Sequence, residues 1–248
     1  MINKRLTEKI QINKKKDIIL LIALILALFI LNYPILDNTL NNFLDTRQEV
    51  FVNRVIDGDT IESNDTSIRL LGINTPERRE LYYLEAKEFL EQLVFNKTVL
   101  LEFGKERYDK YYRTLAYVFL ENENINIKMV ENGFGNYYFP SGKDKHYSEF
   151  TKAWDSCINS NINLCEASSH KCASCIILKD SETLENICDF SCDITGWRIK
   201  AEGRNNTIFQ EKTLGNGEEV SFELDLTETG DTIFLWDEKG KLVLWKSI

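Results

Sequence analysis

The sequence predicts three parts in order: an apolar amino-terminal helix, a small closed α+β barrel with helices packed outside it, and an all-β sandwich. Three observations lead to this fold class. Ile18 to Leu31 carries no polar side chain. Strand and helix patterns alternate between residues 50 and 165. Beyond residue 175, short strand patterns alternate with glycine-containing turns.

Composition limits the function classes. The 248 residues carry a formal net charge of -9, with 43% apolar and 28% charged residues. Such a chain is folded and globular rather than disordered. A protein that coats nucleic acid would be basic, so any nucleic-acid contact here must be confined to a few well-placed cations.

The amino terminus predicts a membrane anchor. Residues 1–16 are polar and basic, 17–36 form the apolar segment, and 37–49 form an Asn- and Asp-rich tether. The apolar segment approaches the ~20 residues that a bilayer requires. Lysines before it predict that the remainder lies outside the cytoplasm. A cleaved signal peptide, which would make the protein secreted, is the alternative; the bulky Asn32-Tyr33-Pro34 after the apolar run argues against it.

Residues 50–165 read as one folded unit of strands and three helices. The predicted elements are a hairpin of Phe51–Val55 and Thr60–Glu62, a strand Ser67–Ile73, a helix Tyr83–Phe95, strands Thr98–Phe103 and Thr114–Leu120 with a cationic loop between them, a helix capped by Asn126 that runs to Glu131, and a helix His146–Ser156.

Acidic residues and arginines gather near the first strands. Asp57 and Asp59 flank Gly58, Arg69 lies in an apolar run, and Glu77 follows Thr75-Pro76. Carboxylates suit a hard divalent cation, and guanidinium groups suit a phosphodiester under attack. Taken singly, each has a structural explanation, since D-G-D is a common turn and Pro76 can open a helix. Taken together, and with Arg113 downstream, they favour a catalytic site.

Three blocks carry a family resemblance: D-G-D-T, R-L-L-G-I-N-T-P-E, and D-K-Y-x-R-x-L-A-Y. Their order and spacing resemble the staphylococcal nuclease (thermonuclease) family over roughly residues 51–165. The resemblance implies a five-stranded OB-fold barrel with three helices. It also implies a Ca²⁺-dependent nuclease that acts on DNA and RNA and leaves 3'-phosphate ends.

The resemblance assigns the cation and reaction roles. Asp59 would bind Ca²⁺, with Asp57 behind it, and the carbonyl of Thr75 would complete the protein ligands. Asn74 stands where the family usually has a second aspartate. Its amide oxygen can bind Ca²⁺ but removes one negative charge, so we expect a higher Ca²⁺ requirement. Glu77 would orient or deprotonate the attacking water.

The resemblance also assigns the groups that hold the nucleic acid. Arg69 and Arg113 would hold the scissile phosphate through paired N–H donors, a geometry that lysine lacks. The remaining positions match substrate contacts of the family: Lys110 and Tyr111 at a terminal phosphate, and Tyr137 and Tyr138 near the base-stacking tyrosines.

All six cysteines lie between Cys157 and Cys192. Cys172-x-x-Cys175 with Cys188-x₃-Cys192 could bind zinc, whereas an even number outside the cytoplasm favours disulfides. The predicted anchor favours disulfides. Six cysteines allow 15 pairings; Cys157–Cys165 and Cys188–Cys192 are plausible local pairs.

Residues 172–248 read as a β-sandwich. The blocks D-I-T-G-W-R-I, L-G-N-G-E-E-V and G-D-T-I-F-L-W-D-E-K-G resemble the lamin-tail domain, which implies an immunoglobulin-like fold. Alternation along the strands predicts five core aromatics: Trp197, Phe209, Phe222, Phe234 and Trp236. Its acidic surface favours a spacer or adhesion role over a second nucleic-acid site.

The leading hypothesis is therefore an outward-facing, membrane-anchored nuclease with Ca²⁺ as cofactor and DNA or RNA as substrate. One alternative is a noncatalytic OB-fold binding module. The other is a surface attachment protein in which the carboxy-terminal domain carries the function.

Overall fold

The computed structural model describes Lys16, residues 18–26, Leu28, and residues 47–203, 205–227 and 231–248. Residues 18–26 are helical. Across all these described residues, no helix is both long and apolar enough to cross a membrane. Half of the anchor predicted at 17–36, and most of the tether predicted at 37–49, lies outside the described residues. The chain from Arg47 to Ile248 forms one compact unit.

The first half of this unit, the barrel domain (residues 47–165), is built on one curled sheet. Its strand order is β1-β6-β7-β4-β3-β2, with β8 on the edge of β7. The bounds are β1 Gln48–Phe51, β2 Arg54–Asp57, β3 Thr60–Ser63, β4 Thr66–Leu70, β6 Thr98–Tyr108, β7 Thr114–Leu120 and β8 Glu123–Asn124. A separate pair joins β5 Ile73–Asn74 to β9 Asn136–Tyr137.

A short segment of the chain bridges the two ends of the sheet. The two end strands of the order, β1 and β2, are separated only by Val52 and Asn53. The Val52 N–H donates to the carbonyl of Lys97 at 2.9 Å, on the β6 side, and the Asn53 N–H donates to Glu62 at 3.1 Å, on the β3 side. One bent segment therefore contacts both ends of the sheet, which has the form of an OB-fold-like half-barrel. Full closure of the barrel stays a prediction.

Three helices pack on the barrel, as predicted. They are α1 Tyr83–Val94, α2 Ile125–Glu131 and α3 Tyr147–Ser160. Each buries one apolar stripe, for example Ala86, Leu90 and Val94 of α1. A short 3₁₀ turn, Asn163–Cys165, follows α3.

Two local predictions in the barrel domain were wrong. Asn124 rather than Asn126 caps α2, with its side chain accepting from the Ile127 N–H at 3.2 Å. Asn126 is fully buried and instead accepts from the Val118 N–H and donates to the Leu71 carbonyl. The cationic segment before Asp109 is not a loop, because β6 continues to Tyr108 across a bulge in its pairing with β7.

The second half, the C-terminal β region (residues 176–248), is all-β as predicted; its likeness to the lamin tail stays a prediction. Its strands form sheets ordered β14-β13-β17-β18, β10-β11-β16 and β12-β15. The bounds are β10 Ile176–Asp180, β11 Thr183–Asn186, β12 Cys192–Asp193, β13 Arg198–Lys200, β14 Asn206–Ile208, β15 Thr213–Leu214, β16 Glu219–Ser221, β17 Thr232–Trp236 and β18 Leu242–Ser247.

All six cysteines form disulfides, as the sequence favoured. The bonds are Cys157–Cys165, Cys172–Cys192 and Cys175–Cys188. The predicted local pair Cys157–Cys165 is confirmed. The predicted Cys188–Cys192 disulfide was wrong, because these two cysteines bond to Cys175 and Cys172, in the segment that leads into β10.

The two halves share a core through alternate residues of β17. Ile233 and Leu235 pack inside the C-terminal β region. Phe234 and Trp236 join the core cluster of the barrel domain, and the Trp236 indole N–H donates to the Leu164 carbonyl at 2.9 Å. The prediction that these two aromatics fill the sandwich itself was therefore wrong. Strand β17 therefore packs the C-terminal β region against the barrel domain.

Glu202 is a buried carboxyl at the contact between the halves. Its Oε2 accepts from the Phe139 N–H at 3.2 Å, and its Oε1 accepts from the Thr232 N–H at 3.1 Å. Burial raises the pKa of Glu202 from 4.5 to about 7, and the nearby Asp231 carboxylate acts in the same direction. Because the folded protein holds the proton more tightly, the stability it contributes is complete below pH 4.5 and is lost as pH rises through about 7.

We predict that Glu202→Gln becomes more stable relative to wild type as pH rises. The change from pH 5 to pH 8.5 should favour the variant by up to about 3 kcal/mol of unfolding free energy, since Gln carries no charge to desolvate. Denaturant unfolding at both pH values measures it, with the exposed Glu223→Gln as matched control. A pH-independent difference would contradict this assignment.

Candidate active site

The site is built on a buried ion pair between two adjacent strands. Asp59 precedes β3, and Arg69 lies on β4 as the register partner of Thr60. The Arg69 NH1 lies 2.8 Å from the Asp59 Oδ2, and the Asp59 Oδ1 accepts from the Thr60 hydroxyl at 3.0 Å. Asp59 is 2% exposed and Arg69 is 8% exposed. Both charges are thereby held in place, Arg69 on β4 and Asp59 in the turn that leads into β3.

Gly58 allows the D-G-D turn to pack against the segment after β5. A Cβ atom at Gly58 would lie 2.8 Å from the Thr75 hydroxyl oxygen and 2.9 Å from the Ala86 Cβ. Close approach, rather than an unusual φ, therefore requires glycine here. It brings the Thr75 N–H to 3.5 Å from the Asp59 Oδ2, so two distant predicted blocks meet.

Asp57 lies behind Asp59, as the resemblance implied. Its Oδ1 accepts from the Asp59 N–H at 3.2 Å. Burial raises the pKa of the Asp57 carboxyl, and the negative charge of Asp59 raises it further. Two close carboxylates of this kind repel one another, and a bound cation would relieve the repulsion.

Two buried polar atoms of this site have no aligned hydrogen-bond partner within the described part of the chain: the Asn74 Oδ1 and the Arg69 NH1. The NH1 is close to Asp59 but is not aligned with it as a hydrogen bond. An unsatisfied buried polar atom costs ~1–3 kcal/mol. A cation would satisfy the acceptor, and a phosphate oxygen would satisfy the donor, so the residues fit a hard divalent cation beside a phosphate.

Glu77 lies at the open side of the site. Its side chain is exposed, and its backbone N–H donates to the Glu80 Oε2 at 2.8 Å. The Glu80 Oε1 lies 2.7 Å from the Arg198 NH1 of β13. The segment that carries Glu77 is therefore held by an ion pair from the C-terminal β region.

Arg113, Lys110 and Tyr111 form a second group before β7. The Arg113 Nε and NH2 each lie 2.7 Å from the Asp109 Oδ2. The Tyr111 ring lies 5.1 Å from the Lys110 ammonium and 5.5 Å from the Arg113 guanidinium. Arg113 is therefore held by Asp109, outside the Asp59–Arg69 pair. The two arginines are related by strand register, since Leu115 is the partner of Arg69 on β7.

Tyr137 and Tyr138 were predicted to lie near base-stacking positions, and for Tyr137 this prediction was wrong. Its ring is 1% exposed in the shared core, and its hydroxyl lies 2.7 Å from the Thr232 hydroxyl. Burial raises the pKa of Tyr137 to about 12. Tyr138 is partly exposed, and a Cβ atom at Gly203 would lie 3.5 Å from its ring.

Sequence reasoning missed the residues that the C-terminal β region brings to this site. The Gly203 carbonyl accepts from the Asn74 Nδ2 at 3.1 Å, and Arg198 pairs with Glu80. Lys200, between them, is 5% exposed. The signal was the alternation R-I-K-A-E, which is typical of a strand with a solvent-facing charged face. Here the barrel domain covers that face.

Oxygen donors and guanidinium groups on a small barrel define the class: hydrolases that act on phosphodiesters. Comparison with known proteins agrees. A family model described as staphylococcal nuclease homologue matches residues 67–164. The Thermonuclease of Staphylococcus intermedius is 32% identical over 160 residues, which cover 60% of this chain and 95% of that protein.

Two further relatives are matched over shorter stretches. The Thermonuclease of Staphylococcus hyicus is 38% identical over 104 residues, which cover 37% of this chain and 62% of that protein. An uncharacterised endonuclease of Haemophilus influenzae is 33% identical over 101 residues, covering 39% of this chain and 56% of its own. The chain belongs to the staphylococcal nuclease family, and it is accordingly a nuclease.

Proposed function

We propose that this nuclease depends on Ca²⁺ and hydrolyses DNA and RNA to products with 3'-phosphate ends. The single observation that carries the proposal is the Asp59–Arg69 ion pair beside the Asn74 Oδ1, which accepts no hydrogen bond from any described residue. This arrangement offers oxygen ligands for a cation and a guanidinium donor for a phosphate within one buried group of residues.

The cation ligands would be the Asp59 carboxylate, the Asn74 amide oxygen and the Thr75 carbonyl, with Asp57 behind Asp59. All of these are oxygen donors, the type that Ca²⁺ prefers. Bound Ca²⁺ would act as a Lewis acid that offsets negative charge on the phosphate. Arg69 donates N–H groups to the same phosphate from a fixed position, because Asp59 and the Ile73 carbonyl orient its guanidinium.

Glu77 is the group that orients the attacking water and accepts its proton. Its exposure places the carboxylate where solvent water reaches it. Arg113 would hold the phosphate opposite Arg69, either by giving up its ion pair with Asp109 or by donating to both groups. Lys110 and Tyr111 would contact a neighbouring phosphate of the strand, since both lie on an exposed, cationic segment.

We further propose that the protein is anchored by residues 17–36 and acts outside the cytoplasm. Two observations support this. The apolar segment follows a run of lysines. The three disulfides suit an oxidising compartment, because cytoplasmic proteins rarely keep such bonds.

The test is cleavage of single-stranded DNA and RNA by the full chain, with Ca²⁺ or with chelator. We predict Ca²⁺-dependent cleavage that Glu77→Gln lowers by about 10²–10⁴-fold, the usual contribution of a general base. The exposed α1 variant Glu88→Gln is the matched control and should cleave like wild type. Equal midpoints of thermal unfolding for Glu77→Gln and wild type would show that the variant loses activity without losing its fold.

Binding without cleavage would instead support the noncatalytic binding module. Full cleavage in chelator would contradict the Ca²⁺ assignment. Wild-type rates for Glu77→Gln would contradict its role with water.

A second prediction concerns the neutral ligand. Asn74→Asp should lower the Ca²⁺ concentration for half-maximal cleavage by roughly 3–10-fold, because it adds a negative charge at the cation. It also loses the hydrogen bond to the Gly203 carbonyl, so the midpoint of thermal unfolding should fall slightly. Asn122→Asp, on an exposed turn, adds the same net charge elsewhere. It should change neither the Ca²⁺ concentration for half-maximal cleavage nor the midpoint of thermal unfolding. An unchanged or higher Ca²⁺ requirement for Asn74→Asp would argue against Asn74 as a ligand.

A further inference from the structure

Strand β13 presents a charged face to the barrel domain. Arg198 and Lys200 alternate with Ile199, which is fully buried in the core of the C-terminal β region. Side chains two residues apart in a strand share a face. Glu202, just after the strand, continues the same alternation and also reaches the barrel domain. Lys200 is therefore the central residue of this face.

The contacts on either side of Lys200 fix its position over the active site. Arg198 pairs with Glu80 at 2.7 Å, and the Gly203 carbonyl accepts from Asn74 at 3.1 Å. Glu80 holds the segment that carries Glu77, and Asn74 is a proposed cation ligand. The strand thus runs along the site, with Lys200 between two anchoring points.

The charges that Lys200 faces belong to the active site. Its ammonium interacts electrostatically with the carboxylates of Glu80, Glu77 and Asp59, and with the like charge of Arg198. Burial lowers the pKa of Lys200 to about 8, with Arg198 acting in the same direction and the carboxylates opposing them. The ammonium is still the main form at neutral pH.

Lys200 has no fixed partner. It is 5% exposed, yet no hydrogen bond or ion pair of its Nζ is found among the described residues. More exposed lysines of the same region do have partners, such as Lys179 with Glu219 and Lys241 with Glu166. The Lys200 Nζ atom itself keeps some contact with solvent, so a ligand can reach it. Its three N–H donors are free for a ligand, and an ammonium is a strong phosphate donor.

We propose that Lys200 binds a nonbridging oxygen of the phosphate held by Arg69, so that the C-terminal β region supplies a substrate-binding residue to the nuclease site. This inference rests on the proposed function of that site. It explains how a site rich in carboxylates, on a protein of net charge -9, accepts a polyanion. Lys200 offsets the charges of Asp59, Glu77 and Glu80 where the phosphate binds.

The experiment compares Lys200→Met and Lys200→Arg with wild type, and with Lys246→Met, an exposed lysine variant on the same sheet. We expect Lys200→Met to lower kcat/KM on single-stranded DNA by about 10–100-fold, Lys200→Arg to recover part of the loss, and Lys246→Met to match wild type. Thermal unfolding of Lys200→Met should be unchanged or higher, because the variant removes an unpartnered buried charge.

A second readout does not depend on turnover. Binding of a labelled single-stranded oligonucleotide is measured against salt concentration in the Glu77→Gln background. Loss of one phosphate contact should reduce the slope of log K against log[salt] by about 0.7. A purely structural role for Lys200 would not change that slope. If Lys200→Met unfolds more easily, Lys200→Gln provides the same comparison with a polar side chain.

Two results would overturn the inference. One is wild-type cleavage and an unchanged salt slope for Lys200→Met. The other is faster cleavage at lower Ca²⁺, which would make Lys200 a competitor of the cation. If wild type fails to cleave with Ca²⁺, the proposed function fails, and the salt slope still decides whether Lys200 contacts phosphate.

Discussion

The buried ion pair between Asp59 and Arg69 is the interaction on which the site depends. Neither charge is stable alone in the interior, since removing one partner of a buried pair leaves the other uncompensated. The pairing of β3 with β4 sets their separation, and Gly58 lets Thr75 approach the same carboxylate. The barrel therefore holds the proposed cation ligand and the proposed phosphate donor in a fixed relation before substrate arrives, which is the preorganisation that catalysis on phosphodiesters requires.

The second constraint is that the barrel domain does not complete this site by itself. Arg198 holds the segment of Glu77 through Glu80, Gly203 orients Asn74, and Lys200 faces the carboxylates. The shared core at Phe234 and Trp236 keeps β13 in place. The C-terminal β region is therefore structural support for the active site as well as a fold of its own, and the expectation of a spacer role gives too little weight to this contact.

Much of the barrel could be predicted from sequence because its signals are local. Helical periodicity gave α1 and α3 within a few residues, and strand patterns flanked the D-G-D turn. Short blocks also assigned Asp59 and Arg69 to one site, but the ion pair between them was not predicted. Alternation shows which side chains share a face, but it does not show what covers that face. For that reason the burial of Lys200 on the charged face of β13 could not be predicted.

The same limit explains the other differences. Tyr137 is the last residue of β9 and Tyr138 follows it. Neighbouring side chains of an extended chain face opposite ways, so the sequence could not tell which ring meets the core. Cys157 and Cys165 are joined within a local turn, whereas the other two disulfides depend on how β10 and β12 are brought together. These contacts are set by tertiary packing, and no local pattern encodes them.

The most direct measurement is a crystal structure of the Glu77→Gln variant with Ca²⁺ and a short single-stranded DNA. We expect a cation bound to the Asp59 carboxylate and the Asn74 amide oxygen, and a phosphate oxygen within hydrogen-bond distance of both Arg69 and Lys200. A phosphate bound only by the Lys110–Arg113 segment, with the cation elsewhere and Lys200 unliganded, would contradict it.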